Sequence, residues 1–172
     1  MGAFAALVLF IGLRFALMPD TPAPHFNANF AMFLNGKRID LTADKYMENV
    51  ETCKPEYLDI QPKERTHLHN SDMNVVHVHT KGVTWGHFMA NIGFGFGKNY
   101  LATDDERIYV NGQGRTIKFI LNGEQVENPS NQLIKNEDRL LISFVYETPA
   151  QLLNDQYPKV SADAHEENEE TD

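Results

Sequence analysis

The chain has 172 residues, a formal net charge of −9 and a single cysteine, Cys53. This length suits one domain whose hydrophobic core is large enough to fold without a disulfide or a structural metal. The negative charge argues against nucleic acid as a partner, because phosphates are neutralised by Lys and Arg. A lone cysteine excludes an intrachain disulfide.

The N-terminal segment is apolar apart from Arg14, with the sequence AFAALVLFIGLRFALM over residues 3–18. It lacks a preceding basic residue and a small-residue cleavage pattern, so a cleaved signal peptide fits less well than an uncleaved membrane anchor over residues 1–18. Both interpretations place the remainder on the extracytoplasmic (periplasmic or extracellular) side. The proline-containing residues 19–24 are interpreted as a stiff linker.

The domain predicted for residues 25–148 begins with a β-hairpin. Asn35-Gly36 can supply the positive φ values of a type I′ turn between FAMFL and KRIDL. Every position of FAMFL is apolar, so we expect the first strand to be buried on both faces.

Two His-x-His pairs lie on either side of the turn-forming sequence NSDMN. Because side chains alternate along a strand, His67 and His69 share one face, and so do His77 and His79. A hairpin with His67 opposite His77 brings all four imidazoles to one face, whereas a slip of one residue separates the pairs. Since the intervening leucine and valines would face the core, we expect the imidazoles on the outer, solvated face.

A short helix is predicted after this hairpin. Thr84 is a favourable N-cap, an apolar i, i+3, i+4, i+7 stripe runs from Trp85 to Ile92, and Gly93 is suited to the position after the helix end. His87 lies off the apolar stripe and is interpreted as solvated, or as a group that orients a ligand. The following GFGFGKN lacks the spacing of a phosphate-binding loop and predicts a loop or an irregular strand.

The remaining pattern is β. RIYV, TIKFIL, EQVE and LLISFVY read as strands, with turns at residues 111–112 and 122–123. The order of elements predicts an α+β domain, a mostly antiparallel sheet with one short packed helix, β-grasp-like by analogy. Residues 149–172 are predicted to be an amphipathic piece followed by a disordered acidic tail, DAHEENEETD.

Several of these pieces together resemble a family of small, uncharacterised, membrane-anchored or secreted prokaryotic proteins with an H-x-H…(I/V)-H-(I/V)…T-x-G-x-F pattern. The matching pieces are HFNANFAMFLNGKRIDL, Cys53, HLHNSDMNVVHVH, VTWGHFMANIG, YVNG and NEDRLLISF. The resemblance implies a fold and a location rather than an activity, because no function is established for the family. The family's first-strand H-x-H-x-H is His25-Phe26-Asn27-Ala28-Asn29 here, so amides replace two potential ligands.

Three function classes follow from these features. The first is a non-enzymatic accessory or structural subunit of a larger membrane protein complex, with the membrane and other subunits as partners. The alternative is a transition-metal protein that binds copper or zinc through His67, His69, His77 and His79, because neutral imidazole suits these ions. The third is a metal-dependent enzyme, for which the sequence assigns no catalytic residue, since HExxH, GxSxG and P-loop patterns are absent.

Overall fold

The computed structural model describes residues 24–48 and 61–166. The strands in these ranges are β1 (Phe26–Leu34), β2 (Lys37–Arg38), β3 (Thr66–His67), β4 (Val75–Val78), β5 (Gly95–Gly97), β6 (Tyr100–Ala102), β7 (Ile108–Val110), β8 (Thr116–Leu121), β9 (Glu124–Val126) and β10 (Arg139–Val145). The helices are α1 (Pro62–Arg65), α2 (Trp85–Asn91) and α3 (Pro149–Asp155), with single 3-10 turns at Asp44–Tyr46 and Tyr157–Lys159. Strands predominate over short helices, as expected of an α+β domain.

The predicted membrane anchor, residues 1–18, lies outside the described residues, as do most of the predicted linker and Cys53. Within residues 24–48 and 61–166, no helix combines the length and the apolar character that a membrane crossing requires.

The main sheet has the strand order β3-β4-β1-β10-β8-β9, with β2 also paired to β1. Its two central strands, β1 and β10, run parallel, with Phe30 opposite Leu140. The other pairings in this sheet are antiparallel. β1 is buried along both faces, as the apolar FAMFL in its C-terminal half predicts.

One face of the main sheet packs on α2. The ring of Phe30 lies 6.3 Å from that of Trp85 and 5.2 Å from that of Phe88, measured between centroids. The Thr84 hydroxyl accepts a hydrogen bond from a backbone N–H of the first turn, as an N-cap should. Gly93 follows the helix with a φ of +83°. α2 therefore has Thr84 at its N-cap and a glycine with a positive φ after its C-terminal end.

The C-terminal segment, residues 149–166, covers part of the opposite face of the main sheet. Leu152 and Val160 pack against a second apolar cluster that includes Ala31 and Leu141. The segment predicted to be a disordered tail instead begins with a helical turn at residues 163–166, because the buried side chain of Ala164 holds it in place. Residues 167–172 lie outside the described part of the chain.

A small sheet with the order β5-β6-β7 completes the domain. The glycine-rich GFGFGKN forms β5 and the turn into β6. The turn predicted at Asn111-Gly112 lies instead at Gln113-Gly114, where the φ values are +52° and +83°. The reason is that Gly112 pairs with Arg115 across the turn, while the Asn111 backbone N–H, just after β7, donates to the Asn99 carbonyl at 2.9 Å.

Candidate metal centre

The two predicted His-x-His pairs meet on one face of the β3-β4 hairpin. His67 lies directly opposite His77 in the register of these strands, which is the first of the two registers that the sequence left open. The ring centroids of His67 lie 5.9 Å from His69, 6.0 Å from His77 and 4.9 Å from His79. All four sequence-predicted ligands are therefore brought together.

A fifth imidazole joins this group from β1. The ring centroid of His25 lies 4.7 Å from that of His79 and 6.4 Å from that of His77. Its position follows from the antiparallel pairing of β1 with β4, in which Phe26 is opposite Val78. We call His25, His67, His69, His77 and His79 the histidine cluster.

The cluster is more buried than the sequence suggests. The expectation that the imidazoles lie on a solvated face is wrong for the centre of the cluster, because His67 is 1 % exposed and His77 4 % exposed. His77 lies on β4, which is flanked by β3 and β1, whereas His67 lies on the edge strand β3. His77 therefore has His67 on one side and the buried Asn27 on the other side of the same face.

The two asparagines that follow His25 at alternate positions of β1 make different contacts. Asn27 lies opposite His77, next to the histidine cluster. The amide of Asn29 donates instead to the Ser161 hydroxyl at 2.7 Å. Because Asn27 and Asn29 share one face of β1, the histidine cluster and the C-terminal segment lie next to each other on the same face of the main sheet.

Burial lowers the pKa of every imidazole in the cluster. The pKa falls to about 2 for His77, about 3 for His79 and about 4 for His67, chiefly because the buried imidazolium loses its hydration. Repulsion between neighbouring imidazolium charges adds to the effect. Loss of hydration on burial is also the main reason why the pKa values of His25 and His69 are lowered. The rings are therefore neutral at pH 7, the form in which imidazole binds metal ions.

A backbone carbonyl fixes the tautomer of His67. Its Nδ1 lies 3.1 Å from the Lys63 carbonyl oxygen. Since a carbonyl can only accept, Nδ1 donates and Nε2 carries the lone pair. The carbonyl comes from α1, which begins with a capping box between Gln61 and Glu64. Metal-binding histidines commonly donate their other ring N–H to such a carbonyl.

Two ring nitrogens of the cluster lack a hydrogen-bond partner among the described residues. They are His69 Nδ1 and His79 Nε2, and both are buried. Buried polar atoms are nearly always satisfied by protein, water or an ion, so each exception needs an explanation.

The spacing of the rings can be compared with that of imidazoles sharing one ion. With nitrogens at 2.0–2.1 Å from the metal, two ring centroids lie about 4.5–6.4 Å apart. The His25–His79, His67–His79 and His67–His77 spacings fall in this range. His69 and His77 are stacked at 3.7 Å, which is shorter. Across residues 24–48 and 61–166, no group of three or more His, Cys, Asp or Glu side chains is placed so that it could hold a metal ion.

The remaining described histidines have other roles. His87 accepts a hydrogen bond on Nδ1 from the Thr84 backbone N–H at 3.2 Å and so caps α2. His165 Nδ1 lies 3.1 Å from a carboxylate oxygen of Glu137. Asp72 uses its carboxylate to accept the Asn74 backbone N–H at 2.7 Å, which shapes the turn of the β3-β4 hairpin.

Comparison with known proteins gives no match. No protein-family model, no curated protein and no solved structure matches this chain.

Proposed function

We propose that the histidine cluster binds a transition-metal ion, copper or zinc. The observation that carries this proposal is the pair of buried ring nitrogens, His69 Nδ1 and His79 Nε2, that have no hydrogen-bond partner among the described residues. They belong to a group of five neutral imidazoles. Leaving a buried acceptor or donor unsatisfied costs about 1–3 kcal/mol, which coordination would recover.

The chemistry of the donors favours these ions. Neutral imidazole is a good ligand for Zn²⁺ and Cu²⁺, whereas Mg²⁺ and Ca²⁺ prefer carboxylate and carbonyl oxygens. His67 is oriented for coordination by its bond to the Lys63 carbonyl. Binding requires the stacked rings of His69 and His77 to separate, because their 3.7 Å spacing is too short for two ligands of one ion. This is a binding function, with no residue assigned to catalysis.

We also propose that the domain belongs to a larger membrane protein complex, as an accessory subunit held by an N-terminal anchor over residues 1–18 on the extracytoplasmic side. The apolar N-terminal sequence supports the anchor. The exposed apolar side chains of β7 support a partner, since Ile108 is 66 % exposed and Val110 62 % exposed. The central parallel β1-β10 pair with α2 on one face supports a β-grasp-like arrangement.

Metal content of the full-length chain tests the main proposal. The protein is purified in detergent without a polyhistidine tag, exposed to Cu²⁺ or Zn²⁺, desalted and analysed by elemental mass spectrometry. We expect about one ion per chain in the wild type and a loss of about tenfold or more in affinity when His69→Gln and His79→Asn are combined.

His87→Gln is the matched control, because His87 lies outside the cluster and Gln at this helix position preserves the capping box. Circular dichroism establishes that each variant is folded. A folded wild-type chain that stays empty would overturn the proposal, and so would a double variant that binds as tightly as the wild type.

A further inference from the structure

The histidine cluster has a gradient of exposure from one end to the other. His67 and His77 are almost completely buried, His69 and His79 are half-buried, and His25 is exposed. His25 is also the member that does not come from the β3-β4 hairpin, since it immediately precedes β1. The open end of the cluster is therefore formed by a separate segment of the chain.

The number of rings exceeds what a closed site needs. Zinc sites are almost always four-coordinate when all ligands come from the protein. Once the stacked rings of His69 and His77 have separated, the β3-β4 hairpin alone supplies four imidazoles, so His25 is a surplus donor. It lies 4.7 Å from His79 between ring centroids, a spacing at which two imidazoles can share one ion.

We propose, on the basis of the metal-binding function above, that His25 is an exchange ligand through which the ion enters and leaves the cluster. The ion arrives as a soluble complex with amine or carboxylate donors that is small enough to reach His25. Bond by bond, the carrier's donors are replaced by His25 and then by His79, after which the inner imidazoles take the ion. The rings are neutral, so no proton need be released from them.

This role makes the domain a site of metal acquisition and transfer rather than a permanently closed structural site. An ion buried behind His67 and His77 alone would exchange only when the hairpin opened. A ligand at the exposed end of the cluster, such as His25, offers a path along which the ion always keeps part of its coordination shell. The release path is the same path in reverse, so both directions depend on His25.

Transfer kinetics test the inference. Zn²⁺ bound to a metallochromic chelator is mixed with the metal-free full-length chain in a stopped-flow instrument, and the reverse transfer is started by excess chelator. For His25→Asn, we expect both rates to fall about tenfold while the equilibrium dissociation constant changes less than about threefold. His87→Gln should behave as the wild type in both directions. His69→Gln should weaken the affinity itself.

The outcomes separate the two proposals. A wild-type chain that takes no zinc from the chelator and stays empty in elemental analysis overturns the metal-binding function and the inference with it. A His25→Asn variant that binds zinc at the wild-type rate overturns only the inference. A His25→Asn variant that releases zinc faster, with a proportional loss of affinity, also overturns the inference, because His25 would then be a permanent ligand.

Discussion

His67 and His77 lie opposite each other across β3 and β4, with ring centroids 6.0 Å apart, and almost no part of either side chain is exposed. Two buried imidazoles so close together disfavour protonation of each other, since a charge on either ring loses hydration and repels a charge on its neighbours. In the metal-free protein, protonating this pair therefore destabilises the folded state.

The first prediction concerns acid stability of the metal-free protein. The pKa values of His67, His77 and His79 lie below the ordinary value of 6.5, so the unfolded chain binds more protons than the native chain. The free energy of unfolding therefore falls as the pH is lowered below about 6.5, by up to about 1.4 kcal/mol per pH unit for each fully buried imidazole.

Urea unfolding at about pH 7.5 and about pH 5 measures this dependence. The Asp72 carboxylate opposes the shift at His69, so the effect there is smaller. Replacing His77 with a neutral Gln should reduce the dependence, and replacing the exposed His87 should not. Equal stabilities at the two pH values would contradict the prediction.

The second prediction is stabilisation by metal. An ion that binds only the native state adds about 2.7 kcal/mol when its free concentration is a hundred times the dissociation constant. For a chain of this size we expect Tm to rise by about 5–10 °C with Zn²⁺ or Cu²⁺. The combined His69→Gln and His79→Asn variant should show no such rise, and Mg²⁺ should have no effect on either protein. Differential scanning calorimetry gives the comparison.

The third prediction concerns the contact between α2 and the loop before β10. A Cβ added at Gly86 would lie 2.6 Å from the Ser130 carbonyl oxygen, which already accepts the Gly86 backbone N–H. Gly86→Ala should therefore destabilise the domain by about 1–3 kcal/mol, despite the higher helix propensity of alanine. Gly112→Ala is the matched control, because nothing lies within 4 Å of its added Cβ. Equal denaturation midpoints would be inconsistent with this account.

The fourth prediction concerns the C-terminal segment. The Arg139 guanidinium stacks on Tyr157 and donates to the carbonyls of Val160 and Ser161. Arg139→Met keeps the apolar stem but removes these donors, which should cost about 1.5–3 kcal/mol and expose residues 149–166 to limited proteolysis. Lys98→Met, which breaks only the exposed ion pair with Glu127, should change the cleavage rate little.

The fifth prediction concerns the proposed partner surface. Ile108→Lys combined with Val110→Lys places two charges on the exposed face of β7, so co-purification of a membrane partner in mild detergent should be lost. Leu133→Lys, on an exposed apolar residue outside β7, serves as the control. The double variant should remain folded and keep its affinity for metal. Retention of the same partner by the double variant would rule out this surface.

The features predicted from sequence are those specified by neighbouring residues. The turn at Asn35-Gly36 has the expected positive φ values. The Thr84 cap follows from a short-range pattern of the same kind. Each depends on residues within about a dozen positions, where alternation and turn chemistry carry the information.

The features that the sequence leaves out depend on which distant strands become neighbours. The parallel pairing of β1 with β10 joins residues more than a hundred positions apart, and an apolar strand sequence does not encode its direction. The placement of β1 beside β4 is what brings His25 to His79 and buries His77. A histidine on a strand cannot indicate by itself which strand will lie beside it.

The central position of β1 also has a mechanical consequence. β1 is hydrogen-bonded to β10 on one side and to β4 and β2 on the other. A tether attached ahead of residue 24 and pulled along this strand would load the bonds on both sides together in shear, rather than opening them one after another. The force would first act on the segment that carries His25. Mechanical load on the chain would therefore displace the exposed end of the histidine cluster before it disrupted the hydrophobic core.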